Sequence, residues 1–218
     1  MRLHNRGRVI AVRLILIFAA TFTAVFLLLN IRFVAKSVQY MVAPGTIRTR
    51  DTLGDATRLL PLAQQVRPEP LSDKATLVID SIGVHAPIVF NVPDNNDLIY
   101  NNLEKGVVHY SNTAKPGEPG AAIILGHSSA YPWYKGDYGA VFALLSKLKV
   151  GDLFYVQYDD NRTFLYRMQQ AIIFNPFEND QRLIDIENAP GSSIILISCY
   201  PVGTNYKRIA VQAQLVEI

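Results

Sequence analysis

The chain of 218 residues has a single cysteine, Cys199, so no intramolecular disulfide is possible. It has no His-Glu-x-x-His, no Cys-x-x-Cys and no phosphate-cradling glycine loop. The segment "LGHSSAY" (125–131) is not a Gly-x-Ser-x-Gly nucleophile elbow. At motif level these absences exclude zinc-peptidase, dithiol-redox, nucleotide-phosphate and serine-elbow chemistries. Basic excess is also missing from most of the chain. The formal charge is +3, and the arginines of the N-terminal tail (Arg2, Arg6, Arg8, Arg13) account for more than all of it. Nothing in the remainder suggests a nucleic-acid partner. No repeat or low-complexity tract occurs.

Hydrophobic residues make up 50% of the chain, and the excess is local. Leu14–Leu29 reads "LILIFAATFTAVFLLL" without a charge. Its flanks extend it to a length able to cross a bilayer, with Arg13 placed to snorkel. The acid-free tail before it puts the N-terminus in the cytoplasm and the rest outside. A cleaved signal peptide competes with this reading, but Arg32 and Lys36 stand where a small-residue cleavage site is expected. The expected layout is a basic tail at 1–13, a transmembrane anchor at 14–34, a stalk at 35–70 and a folded domain at 71–218. Within the stalk, "ATRLLPLAQQV" (56–66) suits a short helix and "RPEP" (67–70) an extended linker. A domain exported without disulfides must fold on its core alone, and residues 71–218 suffice for that.

From Ala75 the texture changes to short β-like runs between turn residues. Strands are expected at 75–80, 86–90, 121–126, 153–158, 163–174, 193–198 and 207–217, with a hairpin on "DDNR" after Tyr158. Short helices are expected at 96–104 and 140–148. Many strands without a βαβ rhythm point to a mainly β fold, a closed or nearly closed barrel. The last strand puts Ile209, Val211, Ala213 and Leu215 on a core face, and Arg208 on a wetter one. "SIILIS" (193–198) is apolar on both faces and reads as a central strand ending at Cys199.

A cysteine attacks carbon as a thiolate, which a neighbouring imidazole favours. His4 lies in the tail, and His85 sits near a turn. His109 follows a short apolar run. His127 comes straight after a strand and opens a polar loop, so it mirrors Cys199: each terminates a buried strand. Arg208 suits an oxyanion partner if the 199–208 loop brings two strand ends together. On these residues alone a buried thiol, unpaired histidines and a solvated arginine remain open alternatives. Glu178, Asp180, Asp185 and Glu187 cluster ahead of the cysteine strand; they read as a solvated loop without EF-hand spacing.

Three segments together resemble the sortases, membrane-anchored cysteine transpeptidases. They are "GVVHYSNTAKPGEPGAAIILGHSS", "FALLSKLKVGDLFYV" and "IILISCYPVGTNYKRIAVQAQL". The resemblance covers about residues 75–218. It implies an eight-stranded β-barrel, with Cys199, His127 and Arg208 catalytic and with His109 and Ser198 supporting. It implies cleavage of a Leu-Pro-x-Thr-Gly-like sorting motif through a thioester, and transfer of the acyl group to an amine of the cell wall or of a pilin subunit. The implied partners are surface proteins or pilins, the amine acceptor and membrane lipid. The implied location is the cell membrane, with the catalytic domain outside. No metal or organic cofactor is implied; calcium activation is not indicated. The signature departs from Thr-Leu-x-Thr-Cys, with Ile195 and Ser198 at the threonine positions. The "Cys-Tyr-Pro" ending is similar to the housekeeping and class D- or E-like branches. A hydrolase on the same fold, or a tethered peptide-binding barrel without turnover, are the alternatives.

Overall fold

The computed structural model describes residues 2–29, 31–42, 70–130, 134 and 136–216. Helix α1 (Arg2–Leu29) and helix α2 (Ile31–Val42) precede the folded domain. Among the described residues no helix is long and apolar enough to cross a membrane. The uncharged run inside α1 rises about 24 Å at 1.5 Å per residue, short of a hydrocarbon core of about 30 Å. Its side chains are nonetheless bare: Phe18 is 69% exposed and Leu28 70%. Most of the stalk, including the short helix expected at 56–66, lies outside the described residues.

Eight strands close into a barrel: β1 (Ala75–Ile79), β2 (Val84–Val92), β3 (Val107–Tyr110), β4 (Gly120–Leu125), β5 (Leu153–Tyr158), β6 (Thr163–Phe174), β7 (Ser192–Tyr200) and β8 (Lys207–Leu215). Their order around the barrel is β1-β2-β3-β4-β7-β8-β6-β5, with β5 returning to β1. The β2–β3 and β4–β7 pairs are parallel; the others are antiparallel. Helix α3 (Asn96–Leu103) lies between β2 and β3, and helix α4 (Gln181–Glu187) between β6 and β7.

Period-2 alternation sorts each strand between two environments. Inward residues such as Leu77, Ile124, Val156, Ile194, Leu196 and Val211 form the barrel core. Outward residues do not all meet water. On one side α4 lays Ile186 and Leu183 over Ile172, Phe174, Ile195 and Ala210. On another, α3 lays Leu103 and Ile99 over Val92, Val108 and Leu125. The outward face of β8 is therefore not wet as expected: Ala210 is fully buried and Gln212 5% exposed. Gln212 is satisfied there, accepting from Gln170 Nε2 at 2.8 Å and donating to Ile186 O at 3.4 Å.

Two further expectations need correction. Residues 140–148 are not an α-helix but successive tight turns ending in a 3₁₀ turn, Leu145–Lys147. The amide of Phe142 donates to the carbonyl of His127 at 2.9 Å instead of closing an α-turn, and Ala143, Leu145 and Lys147 bond three residues back. The acidic segment before β7 is not a solvated loop but carries α4. Asp180 caps the helix by accepting from Arg182 N, and Glu178 accepts from Asn175 Nδ2 at 2.6 Å.

Candidate active site

The register of the sheet brings the three singled-out residues into one row. β4 and β7 run parallel with Leu125 opposite Ile197. The pairing continues past the end of β4, because Gly126 N–H donates to Ile197 O at 3.1 Å. Extended two residues beyond that pair, the same register sets the backbone of His127 level with Cys199. Cys199 is itself the direct cross-strand partner of Arg208. Neighbouring strands lie about 4.8 Å apart, so three functional groups from three strand ends share one rim. Alternation also fixes their side. His127 has the parity of Ile123 and Leu125, Cys199 that of Ile195 and Ile197, and Arg208 that of Ala210; all of these pack outward. The row sits on the barrel's outer face, between the small core under α3 and the one under α4.

The backbone around His127 is tied down from several directions. Ser198 Oγ donates to Gly126 O at 2.7 Å, and Phe142 N–H to His127 O at 2.9 Å. Ser129 Oγ accepts from Gly203 N–H at 3.1 Å, which joins the histidine loop to the β7–β8 connection. Gly126 cannot carry a side chain, since a Cβ there would lie 2.4 Å from the Phe142 ring. Ser198, only 3% exposed, thus uses its hydroxyl to bind the cysteine strand to the histidine loop. Ile195 makes no such bond; it is fully buried in the core beneath α4.

Arg208 is anchored by one nitrogen. Its Nη1 donates to Asn205 O at 3.0 Å and Lys207 O at 3.1 Å. The Nε–H and Nη2 edge makes no hydrogen bond among the described residues. The imidazole of His127 lies between two aromatic rings, Tyr100 at 6.0 Å and Tyr134 at 5.4 Å between centroids. Burial pushes its pKa below the usual 6.5. The neutral ring is therefore the resting form near pH 7, able to accept a thiol proton. Neither tyrosine was singled out from sequence. Tyr100 appeared there only as part of a helix, and no spacing signal links it to His127.

His109 belongs elsewhere. It pairs with Ile124 and faces inward, fully buried, whereas His127 faces outward. Its Nε2–H donates to Ala114 O at 2.9 Å, and its Nδ1 accepts from Asn91 N–H at 3.3 Å. These bonds fix one neutral tautomer and pin the β3–β4 connection, at the end of β4 away from His127. Burial again lowers its pKa.

A stability prediction follows from these two histidines. Both bind protons less readily folded than unfolded. Below about 6.5 the unfolded chain takes up more protons, so stability falls as pH drops through that value toward the folded pKa values. Urea midpoints should be lower at pH 5.5 than at pH 7.5, with a shallower slope in His109→Gln. Equal midpoints at both pH values would contradict the assignment of His109 as a neutral structural pin.

Among the described residues, no group of three His, Cys, Asp or Glu side chains could hold a metal ion.

The family model described as the sortase domain matches residues 77–216. The comparison with curated proteins finds no match. Solved structures match at the level of fold. Sortase C-1 from Actinomyces oris matches with TM-score 0.54 and 22% identity, over 76% of this chain and 99% of that one. A lid mutant of sortase A from Corynebacterium diphtheriae matches with TM-score 0.52 and 24% identity, over 73% and 79%. Sortase E1 from Streptomyces coelicolor, solved with a tripeptide in its active site, matches with TM-score 0.53 and 23% identity, over 67% and 89%. The likeness thus extends across classes C, A and E.

Proposed function

This chain belongs to the sortase family, the cysteine transpeptidases, and on that footing we propose that Cys199, His127 and Arg208 carry the reaction on a C-terminal sorting motif. The observation that supports this is the strand register: Cys199 and Arg208 are direct cross-strand partners, and His127 follows the end of β4, the strand paired with β7.

His127 takes the thiol proton, and Cys199 Sγ attacks the carbonyl carbon of the scissile peptide bond. The C–S bond forms while the carbonyl electrons move onto oxygen, where the free edge of the Arg208 guanidinium stabilises them. Collapse of this intermediate breaks the C–N bond. His127 gives its proton to the departing amine, leaving a thioester on Cys199 and a neutral imidazole. An incoming amine then attacks the thioester, loses its proton to His127, and displaces the thiolate as a new amide forms. The motif we assign is Leu-Pro-x-Thr-Gly-like, as the family resemblance implies.

The acceptor we assign is an amine of the cell wall or of a pilin subunit. The anchor that would hold the domain at the outer membrane surface is the apolar run of α1, lengthened by Val9–Val12 before it and residues 30–35 after it, with Arg13 snorkelling. Its support is the bare apolar surface of Leu14–Leu28 and the acid-free basic tail.

The test uses the full chain in detergent micelles with a library of sorting-motif peptides, with and without an amine, read by mass spectrometry. An acyl adduct on Cys199 that passes to the amine is expected, and none in Cys199→Ala. Turnover in Cys199→Ala would refute the assignment. Release of only the hydrolysed peptide, unaltered by the amine, would make water the acceptor and refute transfer.

A further inference from the structure

Among the described residues nothing hydrogen-bonds to either ring nitrogen of His127; its contacts are the two tyrosine rings. Where an imidazole shuttles protons beside a nucleophile, its ring plane is ordinarily set by a third, hydrogen-bonding group. Here something else must set it. We propose that Tyr100 and Tyr134 form an aromatic clamp that fixes the plane of the His127 ring, which makes both of them positioning residues. This rests on the assignment of His127 as the proton carrier.

The two rings constrain different motions. Tyr100 is an offset stacking partner of the imidazole, at 28° with centroids 6.0 Å apart, and limits tilting of the ring. Tyr134 stands edge-on, at 87°, and blocks rotation about the side-chain axis. Such offset-stacked and T-shaped pairs at these separations are each favourable beyond the area they bury. Both tyrosines are referred to the same support. Tyr134 Oη donates to Leu103 O, the last residue of α3, at 2.7 Å. Tyr100 belongs to α3 itself. Gly136 and Gly139 leave room beside Tyr134: a Cβ at Gly139 would lie 2.7 Å from Ala130 Cβ and 2.8 Å from the Tyr134 ring, and one at Gly136 2.6 Å from Glu104 O and 2.8 Å from the Tyr134 hydroxyl. Helix α3 is in turn seated on β2 and β3 through Leu103 and Ile99. The imidazole is thus aligned by a helix packed on the barrel wall.

Burial is the cause of the ring's lowered pKa, and we assign part of that burial to the two tyrosine rings. Among the described residues, the titratable or charged groups on the elements around it are Asp97 and Tyr100 of α3, Tyr134, Asp137 and Tyr138 of its own loop, Cys199 and Tyr200 of β7, and Lys207 and Arg208 of β8. None of them adds to burial as a cause of that shift.

The experiment is an NMR titration of ¹³C-histidine-labelled full chain in micelles, run with kcat and KM for acyl transfer across pH. In Tyr100→Ala the His127 resonance should titrate closer to 6.5, the acid limb of the rate profile should move up with it, and kcat should fall by up to about 100-fold with KM changed less. Tyr100→Phe should restore all three, because the ring and not the hydroxyl does the clamping. Tyr134→Phe, which keeps the ring and loses the bond to Leu103 O, should fall between wild type and Tyr100→Ala. An unmoved His127 titration in Tyr100→Ala overturns the clamp, as does Tyr100→Phe behaving like alanine. Full acyl transfer by His127→Gln would instead refute the proton-carrier assignment, and the titration would still report on the clamp.

Discussion

Arg208→Lys is expected to lower kcat for thioester formation by about 100- to 1000-fold, the usual cost of losing one preorganised oxyanion donor. Peptide KM should change far less, because the interaction is made in the transition state. The reason lies in how the guanidinium is divided. Nη1 is committed to the carbonyls of Asn205 and Lys207, which hold the plane of the group, while the opposite edge is the one the proposed mechanism gives to the developing charge. An ammonium has no such division. Bound to the same two carbonyls, it sits short of the oxyanion; aimed at the oxyanion, it abandons its anchors. Pre-steady-state kinetics that separate acylation from deacylation are the appropriate measurement. A deficit of less than about threefold would mean that another donor holds the oxyanion.

Gly106→Ala should cause the largest loss of stability among single-methyl additions. Gly106 joins the end of α3 to β3, and a Cβ there would lie 2.1 Å from the carbonyl oxygen of Pro87. That oxygen belongs to the backbone of β2, which β1 and β3 flank, so no side-chain rotation relieves the clash. Overpacking in a core costs about 1–3 kcal/mol where side chains can adjust, so a value at or above about 3 kcal/mol is expected here. Urea unfolding with an unchanged m-value would measure it. Activity should fall as well, even in the folded fraction, because the relief available is a shift of α3 and hence of the Tyr100 ring. A folded variant of wild-type stability would show that the turn has slack.

Strands with regular alternation or turn-bounded apolar runs were legible in the sequence, and β5 and β6 fall at the expected residues. β3 was not recognised as a strand. Its four residues "VVHY" are buried on both faces, so alternation is absent, and the run is too short to stand out. In residues 140–148 apolar composition suggested a helix; the demand of the His127 carbonyl for the Phe142 amide decided otherwise. α4 had a usable signal, an Asp180 cap followed by Leu183 and Ile186 one turn apart, but its charges obscured it. At the site, the likeness of three segments identified His127, Cys199 and Arg208 together. Their alignment in one row is a property of strand register, which no local pattern encodes. Ser198 was legible as a retained hydroxyl, while its partner, a carbonyl on another strand, was not.

The pairing of β4 with β7 carries a consequence for when the chemistry becomes possible. These strands run parallel and are separated in sequence by β5, β6 and α4, so their contact closes a long loop. Cys199 and Arg208 meet across a local hairpin, whereas His127 reaches them only through this long-range closure. A chain whose barrel is still open therefore holds the thiol and its proposed proton carrier apart. Latency is built into the topology: until the barrel is complete, neither the chain's own peptide bonds nor those of neighbouring proteins in transit meet an assembled transpeptidase.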